Sequence, residues 1–88
     1  MPSICRFSGI VVYMYYFDHA PPHFHALYQG QGVEVGIDPV VVLAGSLPAA
    51  QLKIVLQWAK KRQVELQQDW VLAQSNPASP PPLLPIQP

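Results

Sequence analysis

The chain has 88 residues, five Lys and Arg balancing five Asp and Glu, and half of its residues are hydrophobic. That length sets one domain, and a balanced charge excludes broad electrostatic attraction to nucleic acid or acidic membranes. A single cysteine, Cys5, excludes an internal disulfide framework and points to a reducing compartment, so a cytoplasmic protein is expected, with Cys5 as a small buried hydrophobe.

The longest apolar run, Gly9 to Phe17, is well below the roughly 20 residues that span a bilayer, and it lacks the features of a signal peptide. No membrane association is expected. Residues Gly9 to Tyr16 (GIVVYMYY) are rich in β-branched and aromatic types and predict a strand. Asp18 to Pro22 predicts a turn, because the paired prolines cannot join a ladder. His23 to Tyr28 (HFHALY) alternates and predicts a second strand, followed by a turn over QGQG, residues 29 to 32. Val33 to Ile37 and Val40 to Ala44 predict the third and fourth strands, separated by Asp38-Pro39.

From Pro48 the periodicity becomes helical, with Leu52, Val55, Leu56, Ala59, Leu66 and Trp70 on one stripe. One helix is predicted from Pro48 to Ala73, capped by Ser46. Such a helix overruns a short sheet. Arg62 and Gln63 interrupt its stripe, so it either bends there or packs its second half on something else. Trp58 and Trp70 read as anchors of this helix. The last segment, SNPASPPPLLPIQP, has six prolines and no charge, which predicts an extended or disordered tail over residues 75–88.

The expected fold is therefore an α+β two-layer domain over residues 1–74. A four-stranded antiparallel β-meander is covered on one face by one long C-terminal helix, and a disordered proline-rich tail follows. One helix covers one face, yet the first strand is apolar on both. Tyr13 and Tyr15 on the uncovered face, with Leu66 and Trp70 on the overhanging helix end, are expected to bind a partner: a homodimer mate or a small companion protein.

All three histidines lie in DHAPPHFH, residues 18–25. Burial of Phe24, Ala26 and Tyr28 beside Val33, Val35 and Ile37 sets a register with Tyr28 opposite Val33. That register sends His23, His25 and Leu27 to the other face, with His23 opposite Asp38, His25 opposite Gly36 and Leu27 opposite Glu34. Three readings follow. The histidines satisfy local hydrogen bonds. Alternatively, His23 and His25 with Asp38 (or His19) bind a divalent metal such as zinc, manganese or nickel. In the third, His19, His23 and His25 with Asp18 or Asp38 act as acid–base groups on a bound phosphate, as in a metal-free ribonuclease acting on RNA. Arg6 could hold a phosphate or a carboxylate in either catalytic reading, and a surface ion pair is its plainer role. Lys60, Lys61 and Arg62 read as a solvated helix face.

The start M-P-x-I-x-R-F-x-G-I, the central M-Y-Y-x-D-H-x-P-P-H-F-H-A-x-Y, then G-x-L-P and W-A…E-L…W, resemble the small bacterial domain-of-unknown-function family numbered four-one-six-zero. The likeness covers nearly all of residues 1–70, and by it the chain looks complete at Met1. Its signature positions here are Asp18, His19, Pro21, Pro22, His23 and His25. The resemblance implies no settled activity. Members are often encoded beside another small uncharacterised domain, numbered two-four-four-two, in a toxin–antitoxin-like arrangement. Many members carry a histidine on the helix and an acid facing the strand histidines, where this chain has Arg62 and Gly36. The expectation is thus a protein-binding component of a toxin–antitoxin-like pair; the alternative is a small hydrolase or ribonuclease, metal-dependent or using histidine acid–base chemistry.

Overall fold

The computed structural model describes residues 2–88; Met1, which opens the family-like start, lies outside them. Five strands, not four, form one antiparallel meander: β1 (Ser3–Phe7), β2 (Ile10–Tyr13), β3 (His23–Tyr28), β4 (Gln31–Gly36) and β5 (Val42–Gly45), in that spatial order. The extra strand, β1 (Ser3-Ile4-Cys5-Arg6-Phe7), places its polar residues Ser3 and Arg6 three apart around the buried pair Ile4 and Cys5, and a register shift between Ser3 and Cys5 breaks its pairing with β2. It is too short and irregular to declare itself by alternation.

Two tight turns set the pairing. Ser8 and Gly9 join β1 to β2, and Gln29 and Gly30 join β3 to β4, each pair with positive φ at both positions. Positive φ at both central residues is the mark of the type I′ hairpin, whose twist matches that of the strands. The β3–β4 turn is therefore two residues, not the four of QGQG. Tyr28 faces Gln31 instead of Val33, and every expected pair moves by two: His23 faces Gly36, His25 faces Glu34, Leu27 faces Gly32. A two-residue offset preserves the faces. Phe24, Ala26, Val33, Val35 and Ile37 are buried together, with Ile10, Val12 and Met14 from β2 and its exit.

The helical region is two helices, α1 (Ala49–Lys61) and α2 (Gln63–Ala73), in place of one. α1 starts at Pro48 without a side-chain cap, so Ser46 does not cap it; the Ser46 N–H donates to Gly32 O instead. α1 crosses the core face and inserts Val55, Trp58 and Ala59. The Trp58 ring meets Phe24 edge-on at 5.8 Å and Phe7 at 5.4 Å. Burying a side chain of the Phe24 type stabilises the fold by about 1.5–3 kcal/mol.

Arg62 leaves helical geometry, at φ −110° and ψ 22°, and bends the chain there. The polar residues that interrupt the apolar stripe secure the bend. Gln63 Nε2 donates to Ile37 O at 2.7 Å, and Arg62 reaches Glu65 and Pro88 O. Beyond the bend, α2 does not overhang. It turns Leu66 and Ala73 into the core and lays Trp70 against His23.

The tail, residues 75–88, is extended but seated. Tyr16 Oη donates to Pro81 O, Trp58 Nε1 to Gln87 O, and the Ile86 N–H to Ile4 O on the edge strand β1. Ile86 is buried in the core cluster and Leu83 packs on it. The Leu84 N–H donates to Oδ1 of the fully buried Asp69, whose Oδ2 has no partner among the described residues. Burial pushes the Asp69 carboxyl up, against the opposing effect of the Leu84 N–H. Six prolines make this seating economical, since their backbones have little freedom to lose. Cys5 is buried, and burial pushes its thiol up. No helix among the described residues is long and apolar enough to cross a membrane.

Candidate metal centre

The DHAPPHFH motif folds back on itself. Its N-terminal end is a loop held by the C-terminus of α2: the Phe17 N–H donates to Ala73 O, and Gln74 Nε2 donates to Asp18 O. Its C-terminal end is the start of β3, where the Ile37 N–H donates to Pro22 O. The loop brings the Asp18 carboxylate over the two strand histidines.

His23 and His25 share the face of β3 away from the α1-covered core. His23 is nonetheless fully buried, because Trp70 of α2 lies tilted against it at 5.4 Å and His19 of the loop stacks on it at 5.2 Å. His25 lies against Tyr13, its neighbour on β2, with rings nearly parallel at 5.1 Å, and meets Tyr15 edge-on at 4.9 Å. Its side chain is 12% exposed.

Three electron-pair donors converge. Asp18 Oδ2 lies 3.0 Å from His23 Nε2 and 3.4 Å from His25 Nε2, and the three ligand atoms lie within 4.8 Å of one another. His23 Nδ1 sits 2.7 Å from Pro21 O. A carbonyl oxygen only accepts, so Nδ1 carries the proton and Nε2 is the atom turned to Asp18. In a neutral imidazole that Nε2 is a lone pair facing a carboxylate. A positive centre, either a proton or a metal ion, must lie between them.

Burial pushes the Asp18 carboxyl upward, but three effects outweigh it: the His19 N–H at 2.9 Å, the His25 hydrogen bond and the charges of His23 and His19. The net position is below the ordinary carboxylate range, which favours an ionised ligand. His19, with its side chain 72% exposed, sits at the rim with Nε2 3.7 Å from Asp18 Oδ1.

The structure redistributes the expected residues. Asp38 is exposed beyond the end of β4 and is not in the cluster; Asp18 takes the carboxylate position. Arg6 is exposed on β1 and lines a shallow recess with the tail residues Ile86 and Pro88, so it faces the tail, and it has no ion pair or side-chain hydrogen bond among the described residues. Leu66 is fully buried and Tyr13 nearly so, which withdraws both from partner contact in this state; Tyr15 stays exposed and Trp70 half-exposed. Trp70 is the site residue that the sequence gives no reason to expect, because only the bend at Arg62 delivers it to His23.

No curated protein and no solved structure matches the chain. The family model described as Domain of unknown function (DUF4160) matches residues 9–71. That span holds every residue of the Asp18–His23–His25 cluster as well as Trp70, and the chain belongs to that family.

Proposed function

We propose that this domain binds a divalent transition-metal ion through Asp18 Oδ2, His23 Nε2 and His25 Nε2, leaving a coordination position open for hydrolytic chemistry. The observation that carries this reading is the commitment of His23 Nδ1 to Pro21 O, which turns a second electron pair toward Asp18. Two imidazoles and one carboxylate suit zinc. The edge of a tetrahedral site with bonds near 2.0 Å is about 3.3 Å, close to the 3.0 and 3.4 Å from Asp18 Oδ2 to the two imidazole nitrogens. The Pro21 carbonyl supplies the outer hydrogen bond that fixes the ligand tautomer. A bound ion would polarise a substrate oxygen or a water. The exposed His19 is placed to exchange a proton at the rim.

Calorimetric titration of zinc into tag-free protein is expected to show one site. Asp18→Asn and His25→Ala are each expected to weaken it by more than about 100-fold, beyond the usual effect of removing an outer-shell partner. A flat wild-type titration, or equal affinity in both variants, contradicts the reading.

A second reading, a protein-binding component of a toxin–antitoxin-like pair, is favoured by an apolar strip between α2 and the tail. Val64, Val71 and Leu84 are 68%, 64% and 52% exposed there and line a groove of about 670 Å³. Co-expression with the protein encoded beside it is expected to yield a complex that Val64→Glu with Val71→Glu abolishes. A monomer by light scattering, alone and with that companion, counts against it.

A further inference from the structure

Beyond the cluster, on the same outer face, a recess of about 210 Å³ opens over β4. Its walls form one row across the sheet. Tyr13 pairs with His25, His25 with Glu34, and Glu34 with Ala44. Its floor is glycine. A side chain at Gly32 would meet nothing nearer than 4.0 Å, and Gly45 lies so close to Gly32 that a Cβ there would strike the Gly32 carbonyl. The space over Gly32 therefore exists because no side chain fills it. At about 30 Å³ per water in the liquid, its volume is that of about seven waters, which limits the occupant to a small molecule or one end of one.

Among the described residues, Glu34 is the only charged one lining the recess. Its carboxylate has no ion pair and no hydrogen bond among the described residues, although the flanking Tyr13 is nearly buried. Its charge reaches the wall: burial first, then Tyr15 and Glu34, push the Tyr13 hydroxyl up. No Lys or Arg among the described residues lines the space to pair with an anion. A half-buried, unpaired carboxylate beside aromatic rings attracts a compact cation that can donate hydrogen bonds.

We infer that this recess binds a small primary ammonium group, held by Glu34 beside the Tyr13–His25 wall. The site adjoins the proposed metal position through His25 but does not require the ion. Its test therefore uses chelator-treated protein, so that failure here leaves the metal reading standing, and the reverse.

The probe is propylammonium chloride, titrated into 15N-labelled protein and followed by amide chemical shifts. Saturable shifts at Gly32, Glu34 and His25 are expected. Sodium propionate is expected to produce none, and Glu34→Gln, which keeps the shape of the side chain, is expected to weaken the ammonium at least tenfold. Linear, non-saturating shifts, equal binding by Glu34→Gln, or equal response to propionate would overturn the assignment. The Glu34→Gln spectrum without ligand reports whether the variant is folded.

Discussion

Removing residues 76–88 is expected to lower the stability of this domain by about 3 kcal/mol, and the melting temperature by about 10–20 °C. The tail reads as dispensable from its prolines, but its contacts are structural. Ile86 closes the core beside Ile4, and its N–H pairs with the edge strand β1. Without the tail, the buried Trp58 Nε1 loses Gln87 O and Asp69 loses the Leu84 N–H. A buried donor or carboxylate left without a partner costs about 1–3 kcal/mol or more. The ordering entropy of the tail, reduced by its prolines, offsets part of this loss. Ile86→Ala in the full chain isolates the apolar part and should account for about half of the effect. Thermal unfolding followed by circular dichroism makes the comparison. A truncated chain that melts within about 2 °C of the full one would show the tail to be a passenger.

The second large effect is expected at His23. Replacing it by alanine should cost about 3–4 kcal/mol, because the change opens a cavity and breaks a buried polar network together. The imidazole fills the space between Trp70, His19 and His25, and holds the Pro21 carbonyl and the Asp18 carboxylate at once. His19→Ala is the control. Its ring is 72% exposed, and removal should change stability by no more than about 0.5 kcal/mol. Urea unfolding of the metal-free variants measures both. If His23→Ala and His19→Ala unfold alike, His23 is not the keystone of the loop.

The ionisation of Asp18 adds a pH dependence of known sign. Its folded-state carboxyl lies below its unfolded value, so its contribution is present above the unfolded value of about 3.9 and is lost as pH falls through the folded one. Acid should therefore loosen the loop from β3 only in the strongly acidic range.

The sequence allowed the faces of the sheet to be read more surely than its pairings. Phe24 and Ala26 must share a buried side with Val33 and Val35, and alternation enforces that whatever the turn. It does not count the turn residues. Gln29 adopts positive φ, and the hairpin closes over two residues instead of four, which moves the partner of His23 from Asp38 to Gly36. Asp38 is therefore not beside His23, while Asp18, the other expected carboxylate, reaches the histidines from a loop whose path no periodicity describes.

The helix shows a similar division. Its apolar stripe marks Val55, Ala59 and Leu66 as buried, and the interruption at Arg62–Gln63 marks where the chain must bend. The direction of the bend depends on long-range contacts, such as Gln63 with Ile37 O, that local sequence cannot state. Hence Leu66, expected at an overhanging end, is core. Trp70, expected beside it as a partner contact, is the lid of His23.

X-ray absorption on zinc-loaded protein tests the central proposal most directly. It is expected to show a first shell of nitrogen and oxygen at about 2.0–2.1 Å, with the multiple-scattering signature of two imidazoles. A shell of water oxygens without imidazole scattering, unchanged by Asp18→Asn or His25→Ala, would contradict it and leave the cluster joined by a proton alone.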